Sequence, residues 1–358
     1  MKTHRIAAVP GDGIGPDVIG AGLEVLSALA ERDGGFALDV ETLPWGSGYY
    51  RAHGRMMPTD GLDTLKRFDA IYFGSAGSPE VPDHITLWGL RLAICQGFDQ
   101  YANVRPARLL PGIASPLAGV GPNRLDWVIV RENTEGEYSG AGGRVHRGLP
   151  EEVAAEVSVF TRTGVTRIQR FAFELARTRP RKLLTLVTKS NAQRHGMVLW
   201  DEVFEDVSGD YPDIKTDKIL VDAMTARMVL QPESIDTVVA TNLHADILSD
   251  LAAALSGGMG LAPTANLNPP GDYPSMFEPI HGSAFDLVGK GIANPIGAFW
   301  TAALMLEHLG EGGAADRLMT ALGRVTAAGE TLPPDLGGRA TTREVTGAVI
   351  AAIHATND

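Results

Sequence analysis

Residues 5–17 read RIAAVPGDGIGPD, and this stretch predicts a strand, a glycine-rich turn and the start of a helix. The apolar run at 5–9 has the length of a short buried strand, and apolar residues recur at helical spacing over 18–29. A helix after a strand returns the chain to the edge where the next parallel strand can begin. This unit therefore favours an α/β fold with a mainly parallel sheet.

The alternation of strands and helices continues along the chain. Further strands are predicted at 36–42, 70–73, 127–130, 157–160, 183–187 and 238–240, and further helices at 87–98, 165–177, 241–255, 295–309 and 341–354. The Gly- and Pro-rich stretch 256–274 is predicted to be irregular, and its length indicates either a functional loop or a crossing between domains. Polar residues follow several strands, where open α/β sheets bind their ligands.

Composition and charge limit the kinds of partner. The chain has 358 residues, 44% hydrophobic and 21% charged, so it can form a large core without disulfides. A formal net charge of −12 disfavours nucleic acid and anionic lipid surfaces, and no apolar run is long enough to span a membrane. Cys95 is the only cysteine and the first residues have no apolar signal region, so we expect a cytoplasmic protein.

Three aspartates are candidate metal ligands. Asp246 and Asp250 are one helical turn apart in the predicted helix at 241–255 and so share a face. Like charges at this spacing repel, and a hard cation such as Mg²⁺ or Mn²⁺ would relieve the repulsion. Asp222 follows another apolar run. A solvated acidic face is the commoner reason for such a pair taken alone, but the apolar neighbours Ile247, Leu248 and Leu251 weaken that explanation. A helix cap explains Asp222 taken alone, so the spacing leaves both interpretations open.

Basic and proton-transfer candidates lie beside apolar elements. Arg91, Arg105 and Arg131 could each bind a carboxylate through the two-pronged guanidinium, although an ordinary ion pair explains each one taken alone. Lys189 follows an apolar strand, and a lysine near a bound cation suits acid/base chemistry, as does the phenol of Tyr138. A lysine at a strand end can also simply reach solvent.

The glycine-rich turn does not predict an ordinary dinucleotide site. Residues 11–15, GDGIG, have the spacing GxGxG instead of GxGxxG. No acidic residue ends a second strand at the expected distance, since Glu41 lies too far along the chain. We therefore reject a Rossmann assignment. The glycines have a simpler explanation, since a strand-to-helix turn needs them for steric reasons alone.

Six motifs in a fixed order resemble one family. They are PGDGIG, ANVRP, VIVRENTEGEYS, TKSN, DILSDL, and EPIHGSA followed by GKGIANP, and together they resemble the β-decarboxylating dehydrogenases, the isocitrate/isopropylmalate dehydrogenase family. The segments VPDHITLWG, FDQY and ANLNP look most like its tartrate/D-malate dehydrogenase branch. The resemblance implies an isopropylmalate-dehydrogenase-like fold of two α/β domains with a central mixed sheet. It places a non-Rossmann nucleotide domain at 1–99 and 255–358 and a substrate and dimerisation domain at 100–254.

The resemblance also implies an activity. It is the NAD- and divalent-metal-dependent oxidation of a small 2-hydroxy dicarboxylic acid such as tartrate or D-malate, followed by β-decarboxylation. Arg105 and Arg131 match the arginines that bind the substrate carboxylate. Lys189 matches the group that removes the hydroxyl proton, and Tyr138 the one that protonates the enolate after CO₂ leaves.

The metal site implied by the resemblance is shared between two subunits. Asp222, Asp246 and Asp250 match the metal carboxylates, and the ion would be Mg²⁺ or Mn²⁺. In the family Lys189 and Asp222 come from the second subunit, so the resemblance implies a homodimer with shared active sites.

The cofactor residues are likewise implied by the resemblance. Asp286 would bind the ribose hydroxyls, and its carboxylate favours NAD over NADP because it repels a 2′-phosphate. Asn294 would contact adenine, Ile14 would line the pocket, and Glu278 and Asn191 would lie nearer the nicotinamide. The full predicted set is Ile14, Asn191, Glu278, His281, Gly282, Ser283, Ala284, Asp286 and Asn294.

Two positions depart from the family pattern. The family usually has an arginine ten residues before Arg105, where this chain has Cys95, and Phe285 replaces a usual proline. Arg91 lies one helical turn before Cys95, so we hypothesise that it replaces the missing arginine and occupies part of the pocket for the substrate's C3 group. A solvent-exposed Arg91 is the alternative.

Two other functions stay open. One is 3-isopropylmalate dehydrogenase itself, and the other is a non-catalytic regulatory homologue. The retained proton-transfer and metal residues argue against the second.

Overall fold

The computed structural model describes residues 1–121 and 124–355. The chain divides into two compact units. Unit 1 comprises Met1–Gln100, Arg108–Asn123 and Ala253–Asp358, and unit 2 comprises Tyr101–Ala107 and Arg124–Ala252. Both units are built from strands and helices in alternation, as the sequence predicts.

The strands, in chain order, are β1 (Lys2–Gly11), β2 (Phe36–Thr42), β3 (Ala70–Ser75), β4 (Ala102–Arg108), β5 (Asp126–Glu132), β6 (Gly136–Val145), β7 (Val153–Val159), β8 (Leu183–Thr188), β9 (Lys215–Leu220), β10 (Thr237–Ala240), β11 (Pro263–Leu267) and β12 (Ser275–Pro279). The helices are α1 (Gly15–Asp33), α2 (Ser47–His53), α3 (Gly61–Leu65), α4 (Asp83–Thr86), α5 (Leu92–Gly97), α6 (Arg162–Thr178), α7 (Gly196–Ser208), α8 (Val221–Leu230), α9 (Asn242–Leu255), α10 (Ile296–His308), α11 (Gly312–Ala328) and α12 (Thr342–His354).

Unit 1 has a mixed sheet with the strand order β2-β1-β3-β12-β11. The strands pair in parallel except β11 and β12, which are antiparallel. Helices α1, α10, α11 and α12 pack on one another and α1 and α10 pack on the sheet. All six residues of β3 are buried, which explains its continuous apolar run, since a strand covered on both faces has no polar side.

Unit 2 has the strand order β4-β5-β10-β8-β9, and the last four of these strands are parallel. Helix α6 packs on this sheet and on α7. Strands β6 and β7 form a separate antiparallel hairpin whose register shifts between Gly136 and Ala141. Every residue of β7 is exposed.

The predicted strands and helices are confirmed apart from their ends, but the sequence analysis did not predict every element: β4, β6, β9, β12, α2, α3, α7 and α8 were all missed. Two further differences have a clear physical reason. The stretch 256–274, predicted to be irregular, contains β11, so that prediction was wrong for this segment. Its short apolar run pairs with β12, a long-range pairing that no local pattern reveals. Helix α11 was not predicted. Its first residues are glycines, which are not typical of a helix, and its buried face includes Leu318 and Leu322 in the later turns.

The helix predicted at 87–98 is interrupted. A π-helical turn at Leu87–Arg91 joins α4 to α5, and such turns hold one residue more than an α-helical turn. Cys95, on α5, is fully buried in an apolar cluster with Phe98 and Met276. Among the described residues, no helix is both long enough and apolar enough to span a membrane.

Candidate functional site

Asp246, on α9, is the centre of a cluster of side chains in unit 2. Arg105 donates to its carboxylate from Nη1 over 3.2 Å, and Tyr138 donates from Oη over 3.1 Å. Nη1 of Arg131 forms a short charged hydrogen bond with the same carboxylate. Side chains from β4, β5, β6 and α9 thus meet at one acid.

The two arginines are buried and oriented by neutral side chains. Arg105 is 6% exposed and Arg131 is 2% exposed. Arg105 donates to Asn103 over 2.9 Å and to Ser249 over 2.7 Å. Arg131 donates to Asn242 from Nε and Nη2 over 2.9 and 2.6 Å. These partners fix the guanidiniums without neutralising them, so the buried charges depend on a carboxylate to balance them.

Tyr138 lies in the part of β6, between Gly136 and Ala141, where the pairing with β7 shifts register. Bulges of this kind redirect side chains and occur often beside active sites. The guanidinium of Arg131 lies over the Tyr138 ring, 5.2 Å from its centroid. The phenol is therefore held between a cation and the carboxylate to which it donates.

Asp250 completes a pair of acids on α9. Its Oδ1 lies 4.0 Å from Nη1 of Arg105. Partial burial and the neighbouring charge of Asp246 raise the pKa of the Asp250 carboxyl. Crowded carboxylates are the oxygen ligands that Mg²⁺ and Mn²⁺ prefer, and a cation would relieve their repulsion. Within residues 1–121 and 124–355, no three His, Cys, Asp or Glu side chains gather to hold a metal ion.

Lys189 and Asp222 form a separate ion pair in unit 2. Nζ of Lys189, just after β8, lies 2.7 Å from Oδ1 of Asp222, at the start of α8. The hydrogen bond from Lys189 lowers the pKa of the Asp222 carboxyl. The side chain of Asp222 is 67% exposed, so a second molecule can reach it. The described part of one chain does not unite Asp222 with the two acids of α9.

In unit 1 the glycine-rich turn contacts the predicted nucleotide loop. The backbone N–H of Ile14 donates to the carbonyl of Ser283 over 2.9 Å. Gly13 has φ of 58°, and a Cβ there would lie 1.9 Å from the same carbonyl oxygen. Glycine is therefore required at this position both for its backbone conformation and for the close approach.

Asp12 connects this turn to two further loops. Its carboxylate accepts from the N–H and hydroxyl of Ser47 over 2.7 and 2.8 Å, and from the N–H of Gly77 over 3.0 Å. Its N–H donates to the carbonyl of Ser75 over 2.8 Å. A buried carboxylate with three donors is a strong anchor, so Asp12 fixes the shape of the turn.

The 281–286 loop carries polar atoms that the protein does not satisfy. Among the described residues, Nε2 of His281 and Oγ of Ser283 are buried without a hydrogen-bond partner. Burial also lowers the pKa of His281, so its imidazole is neutral at pH 7. Ala284 has φ of 39°, and Asp286 is exposed on the short turn that follows. Unsatisfied polar atoms beside a glycine turn suit a polar ligand such as a dinucleotide.

Two of the predicted cofactor residues, Asn294 and Asn191, are not part of the turn and loop just described. Asn294 donates to Asp335 over 2.9 Å and accepts from the N–H of Ile296 over 3.0 Å, so its amide helps to begin α10. Asn191 is exposed in unit 2, two residues after Lys189.

Arg91 is paired inside unit 1. Its Nε and Nη2 lie 2.7 and 2.6 Å from Oε1 of Glu278, and Nη2 lies 3.3 Å from Oδ1 of Asn266. Asn266 in turn donates to Glu278 over 2.8 Å. The Arg91 side chain is 12% exposed, so it does not point freely into solvent. Cys95 faces the core, where a guanidinium would be buried among apolar groups.

Comparison with known proteins decides the family. Residues 5–349 match isocitrate/isopropylmalate dehydrogenase. The chain belongs to the isocitrate/isopropylmalate dehydrogenase family. It is 69% identical to a probable tartrate dehydrogenase/decarboxylase of Agrobacterium vitis over 100% of this chain and 98% of that protein. It is 53% identical to D-malate dehydrogenase [decarboxylating] of Escherichia coli K12 over 99% of each.

A solved structure agrees with this assignment. Isocitrate dehydrogenase from Methylococcus capsulatus matches with a TM-score of 0.87 and 35% identity, over 98% of this chain and 99% of that one. This isocitrate/isopropylmalate dehydrogenase homologue is therefore an oxidative decarboxylating dehydrogenase. Dehydrogenases of the family generally use a nicotinamide cofactor and a divalent metal ion.

Sequence reasoning missed the residues that orient the site of this dehydrogenase. Asn103, Asn242 and Ser249 hold the two arginines, and Asp12 anchors the glycine turn. Asn103 lies within the motif ANVRP, two residues before its partner Arg105 on the same strand, and no local pattern marks that contact. Asn242 and Ser249 lie on α9, and their arginine partners lie on other strands. His244 was also missed, although it lies close to Asp246 in sequence. Its imidazole is buried, and burial lowers its pKa.

Proposed function

We propose that the protein catalyses the NAD- and divalent-metal-dependent oxidation of a small 2-hydroxy dicarboxylic acid, such as tartrate or D-malate, with decarboxylation of the product. The names of relatives that are 48–69% identical support this substrate class. The single observation that carries the proposal is the convergence of two buried guanidiniums and a phenol on Asp246. In such a cluster the guanidiniums can bind an anionic substrate, and the phenol can transfer a proton to it.

Arg105 and Arg131 are proposed to bind a substrate carboxylate. Both are held in position by neutral side chains, and both already point their Nη1 groups at one carboxylate. A dicarboxylate is therefore a chemical match for these two guanidiniums. Their burial makes the attraction strong, because little water screens the charges.

Asp246 and Asp250 are proposed to bind the metal, with Asp222 contributed by a second copy of the chain. The fit rests on the oxygen donors of the two α9 acids and on the raised pKa of Asp250, which a cation would lower. When bound, Mg²⁺ or Mn²⁺ acts as a Lewis acid that polarises the substrate oxygen.

Lys189 and Tyr138 are proposed to move the protons. The Lys189 amine would take the proton of the C2 hydroxyl as hydride leaves, and the Tyr138 hydroxyl would give a proton to the enolate carbon. The contact of Tyr138 with Asp246 supports a position near the metal carboxylates. Asp222 orients the Lys189 side chain through a 2.7 Å hydrogen bond.

We propose that unit 1 binds NAD through the turn and the loop described above. The unsatisfied atoms of His281 and Ser283, with Gly282, Ala284 and Ile14 around them, support a dinucleotide in this place. Asp286 would bind the ribose hydroxyls and repel a 2′-phosphate, which favours NAD over NADP. Asn294, Asn191 and Glu278 are proposed to contact other parts of the cofactor.

A homodimer with shared sites is proposed from the surface of unit 2. An exposed apolar patch marks a contact surface on most soluble proteins. Exposed apolar side chains of the hairpin and of helices α8 and α9 include Val145, Leu149, Val153, Val157, Val159, Val229, Leu230, Leu243 and Ile247. Ile247 directly follows Asp246, so a second copy seated there would lie beside the metal acids. A cytoplasmic location stays a prediction from the single, buried cysteine.

The test is a panel of 2-hydroxy acids with either NAD or NADP and with Mn²⁺ present or removed by chelator. We expect NADH and CO₂ to form in equal amounts from D-malate or tartrate, with NAD strongly preferred. Turnover of isopropylmalate but not of D-malate would overturn the substrate assignment. Absence of reduced cofactor with every acid would overturn the enzymatic function.

A further inference from the structure

Glu137 and Tyr138 are held in place by contacts outside their own hairpin. Gly136 pairs with Val159 and Ala141 pairs with Val157, so β6 has more residues than β7 between these two pairs. Tyr138 stands in this irregular stretch. A regular ladder cannot fix its position there, so other bonds must do so.

Glu137 supplies such bonds to the start of α9. Its Oε1 accepts from the hydroxyl of Thr241 over 2.9 Å, and its Oε2 accepts from the backbone N–H of Leu243 over 3.1 Å. The Thr241 hydroxyl also accepts from the N–H of His244 over 3.4 Å. First-turn N–H groups have no partner within the helix, and a carboxylate at this end also interacts favourably with the helix dipole.

These two hydrogen bonds of the Glu137 carboxylate, called the Glu137 clamp below, join β6 to α9. Strand β6 carries the candidate proton donor, and α9 carries the candidate metal acids. Tyr138 is the next residue after Glu137 on β6, and Asp246 lies on the helix that Glu137 caps. The 3.1 Å contact between the Tyr138 hydroxyl and Asp246 spans the same two elements. A shift of β6 along α9 would change this distance directly.

We propose that Glu137 is a positioning residue, which keeps the Tyr138 hydroxyl in register with the carboxylates of α9. Glu137 acts through Tyr138 and α9 and not on the substrate itself. The inference rests on the proton-transfer role proposed for Tyr138.

The chain provides a matched control in Glu135. Its Oε2 accepts from the backbone N–H of Thr161 over 2.9 Å, and its Oε1 accepts from the Thr161 hydroxyl over 2.6 Å. Thr161 is the N-cap of α6, so Glu135 makes the same kind of clamp on a different helix. Loss of either clamp removes two side-chain hydrogen bonds at a helix start, but only the Glu137 side chain bonds to α9. Glu135 meets α9 through its backbone carbonyl, which accepts from Asn242 over 3.3 Å and which E135A keeps.

The experiment compares E137A, E137Q, E137D and E135A in the full-length protein. We expect kcat of E137A on the best 2-hydroxy acid to fall by about tenfold to a hundredfold with little change in either KM, because small misplacements of a proton donor have effects of this size. E137Q keeps an acceptor for the Leu243 N–H and should recover most of kcat. E137D keeps the charge but is too short for both bonds, so it should stay impaired. E135A should lose a similar amount of thermal stability with kcat nearly unchanged.

Hydrogen exchange provides a readout that does not need turnover. Peptides covering 137–141 and 242–246 should exchange faster in E137A than in the wild type, and not in E135A. A kcat of E137A equal to that of E135A, or unchanged exchange in these peptides, would overturn the proposal. If E137A does not fold, the proposal would be overturned by equal kcat values for E137Q, E137D and the wild type. A wild type without dehydrogenase activity would refute the proposed function, while exchange would still decide whether the clamp exists.

Discussion

Nε of Arg91 lies 2.7 Å from Oε1 of Glu278, and both side chains are largely buried. If Arg91 also binds the substrate's C3 group, R91A should lower kcat/KM for tartrate, whose C3 carries a hydroxyl, by about tenfold or more, since a charged hydrogen bond contributes roughly 1.5–3 kcal/mol. The effect on D-malate, whose C3 is a methylene, should be smaller. The same change leaves the Glu278 carboxylate without its cation and with the Asn266 amide still donating to it, so thermal unfolding must be measured in parallel. The control is the double variant R91A/E278Q, which removes both charges. Full kcat/KM in R91A would exclude Arg91 as a ligand.

A shared active site can be tested by mixing two inactive variants. D222N and D246N should each be inactive alone. Subunits exchanged at equal amounts should regain about a quarter of the wild-type activity, because half of the dimers are mixed and each holds one intact site. The measurement is the rate before and after subunit exchange. No recovery would mean that Asp222 acts within its own chain, or that no dimer forms. D206N, at an exposed ion pair of α7, controls for the loss of a charge.

Removal of the Asp12 carboxylate should loosen the proposed cofactor turn. D12A loses three hydrogen bonds to a buried anion, so we expect KM for NAD to rise by about tenfold and thermal stability to fall by about 2–4 kcal/mol. D12N should be milder, since its amide oxygen can still accept. The measurement is the initial rate against NAD concentration. Asp69, an exposed acid that accepts from the N–H of Arg5, provides the control D69N. An unchanged KM in D12A would contradict the role of Asp12.

Glu132 should make stability depend on pH. Burial raises the pKa of its carboxyl from 4.5 to about 6. The folded protein therefore holds this proton more tightly than the unfolded chain does. The resulting stabilisation is complete below pH 4.5 and is lost as the pH rises through 6. E132Q stays neutral, so relative to the wild type it should gain about 2 kcal/mol between about pH 4 and about pH 8.

Urea unfolding at the two pH values measures this gain. The hydrogen bonds that Glu132 accepts from Thr134 and Glu135 are weakened in E132Q at both, so only the difference is diagnostic. An equal effect of the substitution at both pH values would show that Glu132 is not the titrating group.

The sequence predicts the elements well because their patterns are local. The apolar run of β3 and the helical spacing of α1 depend on neighbouring residues, so both appear in the structure. The pairing of β11 with β12 depends on residues brought together by the fold, and it was missed for that reason. The same limit applies to α11, whose signal lies in its later turns.

The candidate site shows a similar division. The spacing of Asp246 and Asp250 and the family motifs suffice to name the acids, the arginines and the tyrosine. They do not reveal that the arginines share Asp246 or that Arg91 is paired with Glu278, because these partners are more than a hundred residues apart. A single sequence without the fold offers no signal for such contacts.

The π turn at Leu87–Arg91 bears on how this part of the enzyme can evolve. Because the turn holds a surplus residue, deletion of one residue would restore an α-helix and rotate the following segment by about 100°. Cys95 would then leave the apolar cluster, and a different side chain would take its place. One in-frame codon deletion could thus exchange the side chains that this helix directs at its neighbours while the sheet stays as it is.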